Sequence, residues 1–347
     1  MNEIGLRRRA TVHDVARAAG VSLATVDRVL NSRPGVRPAT TERVEAAIAA
    51  IGFQRDLSAS LLARARDLAL TFIIPDSSNE FMASLADAVD RRASPAQTDR
   101  LQIQTLRIPA LDAGALVQCL DGLDPRQVDC AIIVASEEPE VFAAVDRAAK
   151  RGTVVMTLVS DLPGTLRRHF IGIDNAAAGR TAASLMGRFL PGGGKVAVIA
   201  GSLHLRDHSD RLEGFRAVLQ NEFPALELAG PIEGHDERSE TQAIVADLLA
   251  QHPDLAGLYN LGAGNAGLVA ALEASGRAGG IRVIAHELSE PTHRGLRSGA
   301  LDVVLDQNPD GEIREAIAAA RALALGGIST PTSAPIEIGI FLRDNLR

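Results

Sequence analysis

The sequence predicts a small all-α domain followed by a two-lobed α/β core with parallel sheets. Three observations carry this reading. The first 50 residues place apolar side chains at helical spacing, interrupted at "AAGVS" and again at Pro34-Gly35. After Asp67 the pattern changes to short apolar runs alternating with helical segments, the sequence sign of parallel sheets covered by helices. Charge divides at the same place. Residues 1–66 carry 11 Arg against 6 Asp and Glu, a balance of +5, whereas the rest carries 25 Lys and Arg against 37 Asp and Glu, a balance of −12. A basic head on an acidic body predicts that only the head meets a polyanion.

The head reads as three short helices. Thr11 with Asp14 forms a capping box that opens the first, "VHDVARAA". Gly20 stops it, because glycine accepts the positive φ of a helix end. Ser22 caps the second helix, "LATVDRVLN", and Pro38 suits the first position of the third, "PATTERVEAAIAAIG". Val15, Ala16, Ala19, Val21, Val26, Val29, Val44 and Ile48 are spaced to close one small core. Residues 53–66, "FQRDLSASLLARAR", read as a short helix or linker.

The body offers ten strand candidates, from "LALTFIIP" through "KVAVIAG" and "IRVIAHE" to "LDVVLDQ", with a last strand in "APIEIGIFLRDNL". Ten strands exceed one small domain, so two lobes are expected. With no Trp, one Tyr and nine Phe, the core is aliphatic. Cys119 and Cys130 sit in apolar surroundings and read as buried thiols of a reducing compartment, not as a disulfide or metal site. The N-terminus shows no apolar signal region, and no apolar run is long enough to span a bilayer. A cytoplasmic protein without membrane contact is expected.

A helix, a glycine-containing turn and a second helix form the helix-turn-helix pattern, in which the second helix presents its N-terminal residues to the major groove. The stretch "ATVHDVARAAGVSLATVDRVLNSRPGVRPATTERVEAAIAAIGF" resembles the headpiece of the LacI/GalR family of bacterial transcription regulators. The downstream body resembles that family's effector core, which is similar to periplasmic binding proteins of type I. The resemblance implies a DNA-facing set of Ser22, Leu23, Ala24, Thr25, Arg28, Asn31 and Leu62. Arg28 would bond a guanine edge, Leu23 and Ala24 would make apolar contacts, and Ser22 and Thr25 would meet phosphates. Leu62 aligns with the family's minor-groove wedge; alternatively, Leu57, Leu61 and Leu62 pack the linker against the body. The sequence also departs from the family. Asp27 stands where serine is usual, and its carboxylate repels phosphate. Arg37 replaces a capping serine, and Arg55 replaces the proline before the hinge.

Ligand sites of open α/β sheets lie at the carboxyl ends of strands. Taking the strand ends in turn gives Asp76, Asn79 and Phe81, then Glu138, Arg211, Asn260, Glu287 and Gln307 as effector-binding candidates. These positions match the family's ligand-contacting places. Polar groups of this kind pair hydroxyls, and Phe81 suits the apolar face of a sugar or polyol. The competing enzyme reading rests on Gly262-x-Gly264-x-x-Gly267 with Glu287 downstream, a dinucleotide fingerprint on paper. It sits deep in a run of other strands, with no catalytic domain after it. "PGGGKVAVIAG" lacks a P-loop ending, and His204 with His208 lacks an acidic third metal ligand. No catalytic residue, cofactor or metal is expected.

The domains expected are a headpiece over 8–55, a hinge over 56–66 and an effector core over 67–347. One lobe takes about 67–165 and 308–327, the other about 166–306 and 330–347. The resemblance implies a homodimer on palindromic double-stranded DNA, repression as its output because most relatives block transcription, and a small-molecule effector acting as either inducer or corepressor.

Overall fold

The computed structural model describes residues 10–30, 35–51, 53, 67–76, 79–93, 100–325 and 336–346. The head contains α1 (Val12–Ala19), α2 (Leu23–Leu30) and α3 (Pro38–Ile51). Its core buries Val15, Ala16, Ala19, Val26, Val29 and Val44, with Val21 and Ile48 packed at the edge, so all eight expected positions are used. The capping box at Thr11 and the left-handed Gly20 (φ 63°) bound α1 as the sequence predicts. The guanidinium of Arg43 on α3 donates to the carbonyls of Ala19 (2.9 Å) and Gly20 (3.3 Å). A cation at a helix C-terminus is favourable there.

The body has two sheets. The first comprises β1 (Leu68–Asp76), β2 (Leu101–Pro109), β3 (Cys130–Ile133), β4 (Val154–Leu158) and β5 (His169–Ile171), in the order β2-β1-β3-β4-β5. All its pairings are parallel. The second comprises β6 (Gly194–Ala200), β7 (Leu226–Glu233), β8 (Leu255–Asn260), β9 (Arg282–His286), β10 (Val303–Asp306) and β11 (Gly339–Phe341), in the order β11-β10-β9-β8-β6-β7. Only β11 runs antiparallel to its neighbour. Each expected strand segment contains one of these strands.

Helices cover both faces of both sheets. They are α4 (Glu80–Arg92), α5 (Ala113–Gly122), α6 (Pro139–Arg151), α7 (Asn175–Phe189), α8 (Arg206–Glu222), α9 (Arg238–Gln251), α10 (Asn265–Ala274), α11 (Glu290–Ser298) and α12 (Pro309–Ala324). Each sheet lies between two aliphatic clusters. The chain leaves the first sheet after β5, because β5 pairs with β4. The lobe boundary expected near residue 165 therefore moves past Ile171. After β10 the chain returns to the first lobe, where Ile313, Ala316 and Ala320 of α12 pack beside β1 and β3. It then crosses back to supply β11.

Both sheets reverse their strand order once, at β1/β3 and at β6/β8. A crevice forms at such a switch point, beyond the carboxyl ends of the strands. The two switch points face each other, and the loops after β1, β3, β6, β7, β8, β9 and β10 meet between the lobes.

Candidate functional site

Two surfaces gather the expected residues. On the head, the Ser22 hydroxyl accepts from the Thr25 amide at 3.1 Å and lies 2.8 Å from the Thr25 hydroxyl, so it caps α2. Val26, Val29 and Leu30 turn inward. Leu23, Ala24, Asp27 and Arg28 are exposed on the opposite face, with Leu23 at 43%. An exposed leucine at a helix start has no packing role in the head. Asn31 and Leu62 lie outside the described residues.

The interlobe cleft has an inner compartment. Asn79, Phe81, Arg211, Glu287 and Gln307 line it, from loops and helices that follow four different strands. Arg211 is 1% exposed. Its Nε donates to Asn175 Oδ1 at 2.9 Å and its Nη1 to the Leu261 carbonyl at 2.8 Å. Its Nη2 makes no hydrogen bond among the described residues and stands 3.9 Å from both Asp207 and Glu287. This arrangement depends on a close approach of α7 and α8. A Cβ on Gly179 would strike the Arg211 carbonyl, and one on Gly214 would strike the Ala176 carbonyl.

Glu287 ends β9 in the left-handed region (φ 69°), a conformation costly for a residue with a side chain. The Leu305 carbonyl accepts from its amide at 2.8 Å, and its own carbonyl accepts from Thr292 Oγ1 at 2.8 Å. Its Oε1 accepts from Gln307 Nε2 at 2.7 Å. Burial pushes the carboxyl up to about 8, opposed by nearby Arg211. Oε1 is engaged by Gln307, so the proton belongs on Oε2. Four buried atoms of the lining make no hydrogen bond among the described residues: Arg211 Nη2, Glu287 Oε2, Gln307 Oε1 and Asp207 Oδ1. One is a donor, two are acceptors, and Glu287 Oε2 is either, according to pH.

Three of the expected residues do not line the cleft. Asp76 is exposed and faces Arg107 at 3.9 Å. Glu138 precedes α6 and does not reach the lining, whereas its neighbour Glu137 bonds Arg206 of the second lobe at 2.9 Å. Asn260 is fully buried, and its Nδ2 donates to the Ala263 carbonyl and to Asn265 Oδ1. It holds the loop that presents Gly262 and Ala263. Phe81 is 5% exposed and belongs mainly to the first lobe's core.

The sequence reading missed Ser160, Asp207 and Asp236, which also line the inner compartment; His208, rejected from the sequence as a metal ligand, lines it as well. "GSLHLRDHSDR" read as a loop, but α8 begins at Arg206, which puts Asp207 and Arg211 one turn apart on one face. Asp236 accepts from the Ala263 amide (2.7 Å) and, across the cleft, from Asn79 Nδ2 (3.3 Å). Side chains on Gly201 or Gly262 would occupy the place of its carboxylate. The glycines of the nucleotide-like fingerprint thus make room for protein. Gly264 gives way to Thr241, and Gly267 to the Arg238 carbonyl. Among the described residues no group of three metal-ligating side chains occurs, and no helix is long and apolar enough to cross a membrane.

Residues 70–328 match the family described as periplasmic binding protein domain, and residues 11–56 match bacterial regulatory proteins of the lacI family. Catabolite control protein A of Priestia megaterium is 28% identical over 218 residues, a match spanning 60% of each chain and so less than two thirds of that relative. The transcriptional regulator GalS of Salmonella typhimurium is 27% identical over 252 residues, 72% of this chain and 71% of its own. Among solved structures, an ABC-transporter solute-binding protein of Burkholderia graminis in complex with D-arabinose superposes with a TM-score of 0.75. It is 25% identical, covering 81% of this chain and 97% of that one.

Proposed function

From a chain that belongs to the periplasmic binding protein domain family and carries a lacI-family helix-turn-helix segment at its head, we propose a DNA-binding transcriptional regulator controlled by a neutral polyhydroxylated ligand, a sugar or polyol, held between the lobes. One observation carries the ligand reading. Four buried polar atoms from the first turns of α8 and two loops converge on one cleft with no hydrogen bond among the described residues. Buried polar groups are expensive unless paired, and a ligand rich in hydroxyls pairs donors and acceptors alike. The single arginine of the inner lining has Asp207 and Glu287 within 3.9 Å, and Asp236 lines the same compartment, which disfavours phosphorylated or acidic ligands. The D-arabinose bound by the Burkholderia graminis protein supports the same ligand class.

The head would act on double-stranded DNA, with Arg28 reading a base edge beside Leu23 and Ala24. Two heads in a homodimer suit a palindromic operator. The ligand acts through its differential affinity for two arrangements of the lobes. Repression is the proposed output, and no residue is assigned a catalytic role. The domain division proposed is a headpiece over 8–55, a hinge over 56–66 and a core from 67 onward.

The test is a thermal-shift screen of the full chain against sugars, polyols, sugar acids, phosphosugars, purines and NAD(H). A ligand that binds only the folded state raises the melting temperature. A sugar or polyol hit that also alters salt-dependent operator binding bears the proposal out. A response to NAD(H) alone refutes it.

A further inference from the structure

The inner compartment opens outward into a second one, which shares Asn79, Met82, Val134, Leu205 and Asp236 with it. The two differ in chemistry. The outer wall is built by Ile108, Pro109, Ala110, Leu111 and Leu116, from the end of β2, the loop after it and α5, together with Met82 and Val134. Its acidic residues already have partners. Asp112 caps α5 through the Ala115 amide (2.8 Å), and Asp236 is held as described above. The unpaired polar atoms of the cleft all lie in the inner compartment.

Leu111 is the most unusual part of this wall. It is 43% exposed and its φ is 54°. An L-residue in that conformation is strained, and an exposed leucine gains little from core packing to offset the strain. The adjoining residue Ala110 is also exposed. An apolar wall at the mouth of a polar cleft, continuous with it, fits one ligand with two ends.

We propose that the outer compartment is a subsite for an apolar alkyl or aryl substituent, so that the ligand is a glycoside-like molecule with its polyhydroxylated head inside and its apolar group outside. This rests on the sugar or polyol reading above, and the experiment separates the two. Calorimetric titrations of the full chain use free D-arabinose, D-ribose, D-allose and D-galactose, both anomers of their phenyl glycosides, and benzyl alcohol alone. The proteins are wild type, Leu111→Asn and Ala110→Asp. Asparagine tolerates the left-handed conformation, so Leu111→Asn keeps the fold while removing the apolar surface.

For whichever sugar binds, one phenyl glycoside is expected to bind at least tenfold tighter than the free sugar. That gain is expected to fall below threefold in both variants, with the free sugar's affinity unchanged. A free sugar that binds as well as its glycosides, or a gain that survives both substitutions, overturns the subsite and leaves the polyol reading intact. If neither sugars nor glycosides bind, the polyol reading fails and benzyl alcohol decides. Saturable binding lost in Ala110→Asp upholds an apolar subsite, and its absence in wild type overturns it.

Discussion

Arg211 is the side chain on which the cleft's electrostatics turn. It is the only arginine or lysine within ion-pair distance of Asp207 and Glu287 among the described ion pairs, with His208 Nε2 also 3.6 Å from Asp207, and two of its three nitrogens are spent on Asn175 and Leu261. Arg211→Ala is expected to cost about 3–5 kcal/mol of stability, because it leaves buried carboxyls without their cation. Arg211→Lys keeps the charge but cannot make both anchoring bonds, and is expected to fold while binding the ligand at least tenfold more weakly. Urea denaturation with ligand titration separates the two effects. Glu287 predicts a pH dependence. Its carboxyl is raised from 4.5 to about 8, so folding favours the protonated form. That stabilisation is fully present below about 4.5 and is lost as pH rises through about 8. Glu312, fully buried and raised by burial and by Glu287, acts in the same direction. Melting temperatures from pH 5 to 9 should fall less steeply in Glu287→Gln than in wild type; equal slopes would refute the raised carboxyl. Glu287 and Gln307 were legible because each is a polar residue at a strand's carboxyl end, and Arg211 because it closes the polar segment that follows β6, although it stands in α8. Asp236 was not, because its place depends on two distant glycines that only the fold brings beside it.

Among the elements, the strands were legible and the helix starts less so. A buried parallel strand writes itself as a short aliphatic run, as β1, β3, β4, β8 and β9 did. The start of α8 has no side-chain cap to mark it, since Leu205 stands at its N-cap. Its first turn is charged, and so it read as a loop. The boundary between lobes was misjudged for a related reason. The three-residue strand β5 is too short for its pattern to say which sheet it joins. The pairing of α7 with α8 is where element geometry governs the site, since Gly179 and Gly214 let the two backbones approach and so set Asn175 against Arg211. Gly214→Ala is expected to destabilise the protein by about 3 kcal/mol through overpacking. It should also weaken ligand binding although residue 214 does not line the cleft. A variant as stable and as tight-binding as wild type would show that the helices can part without disturbing Arg211.

At the scale of the whole molecule, the lobes are joined by contacts at the rim of the inner compartment as well as within it. The Arg206 guanidinium bonds Glu137 at 2.9 Å, the Arg206 amide donates to Ser160 Oγ at 3.0 Å, and the Glu137 amide donates to the His204 carbonyl at 2.8 Å. If the proposed ligand favours the arrangement in which these bonds form, the bonds add to its effect, and their loss must be made good by the ligand. The Arg206 and Glu137 side chains are 37% and 30% exposed, so solvent screens the pair and its contribution is of the order of 0.5–1 kcal/mol. Arg206→Ala and Glu137→Ala should therefore each weaken ligand binding about two- to fivefold. The double variant should be no weaker than the worse single one, because both remove the same bond. The effect should shrink at high salt, since the pair is partly exposed. Linkage makes the argument reciprocal. Where operator affinity depends on the same equilibrium, the variants should shift it without ligand by the same factor and in the direction opposite to the ligand's own effect. Additive losses in the double variant would mean that Arg206 and Glu137 act separately, and unchanged affinities would mean that the lobes are set by the inner compartment alone.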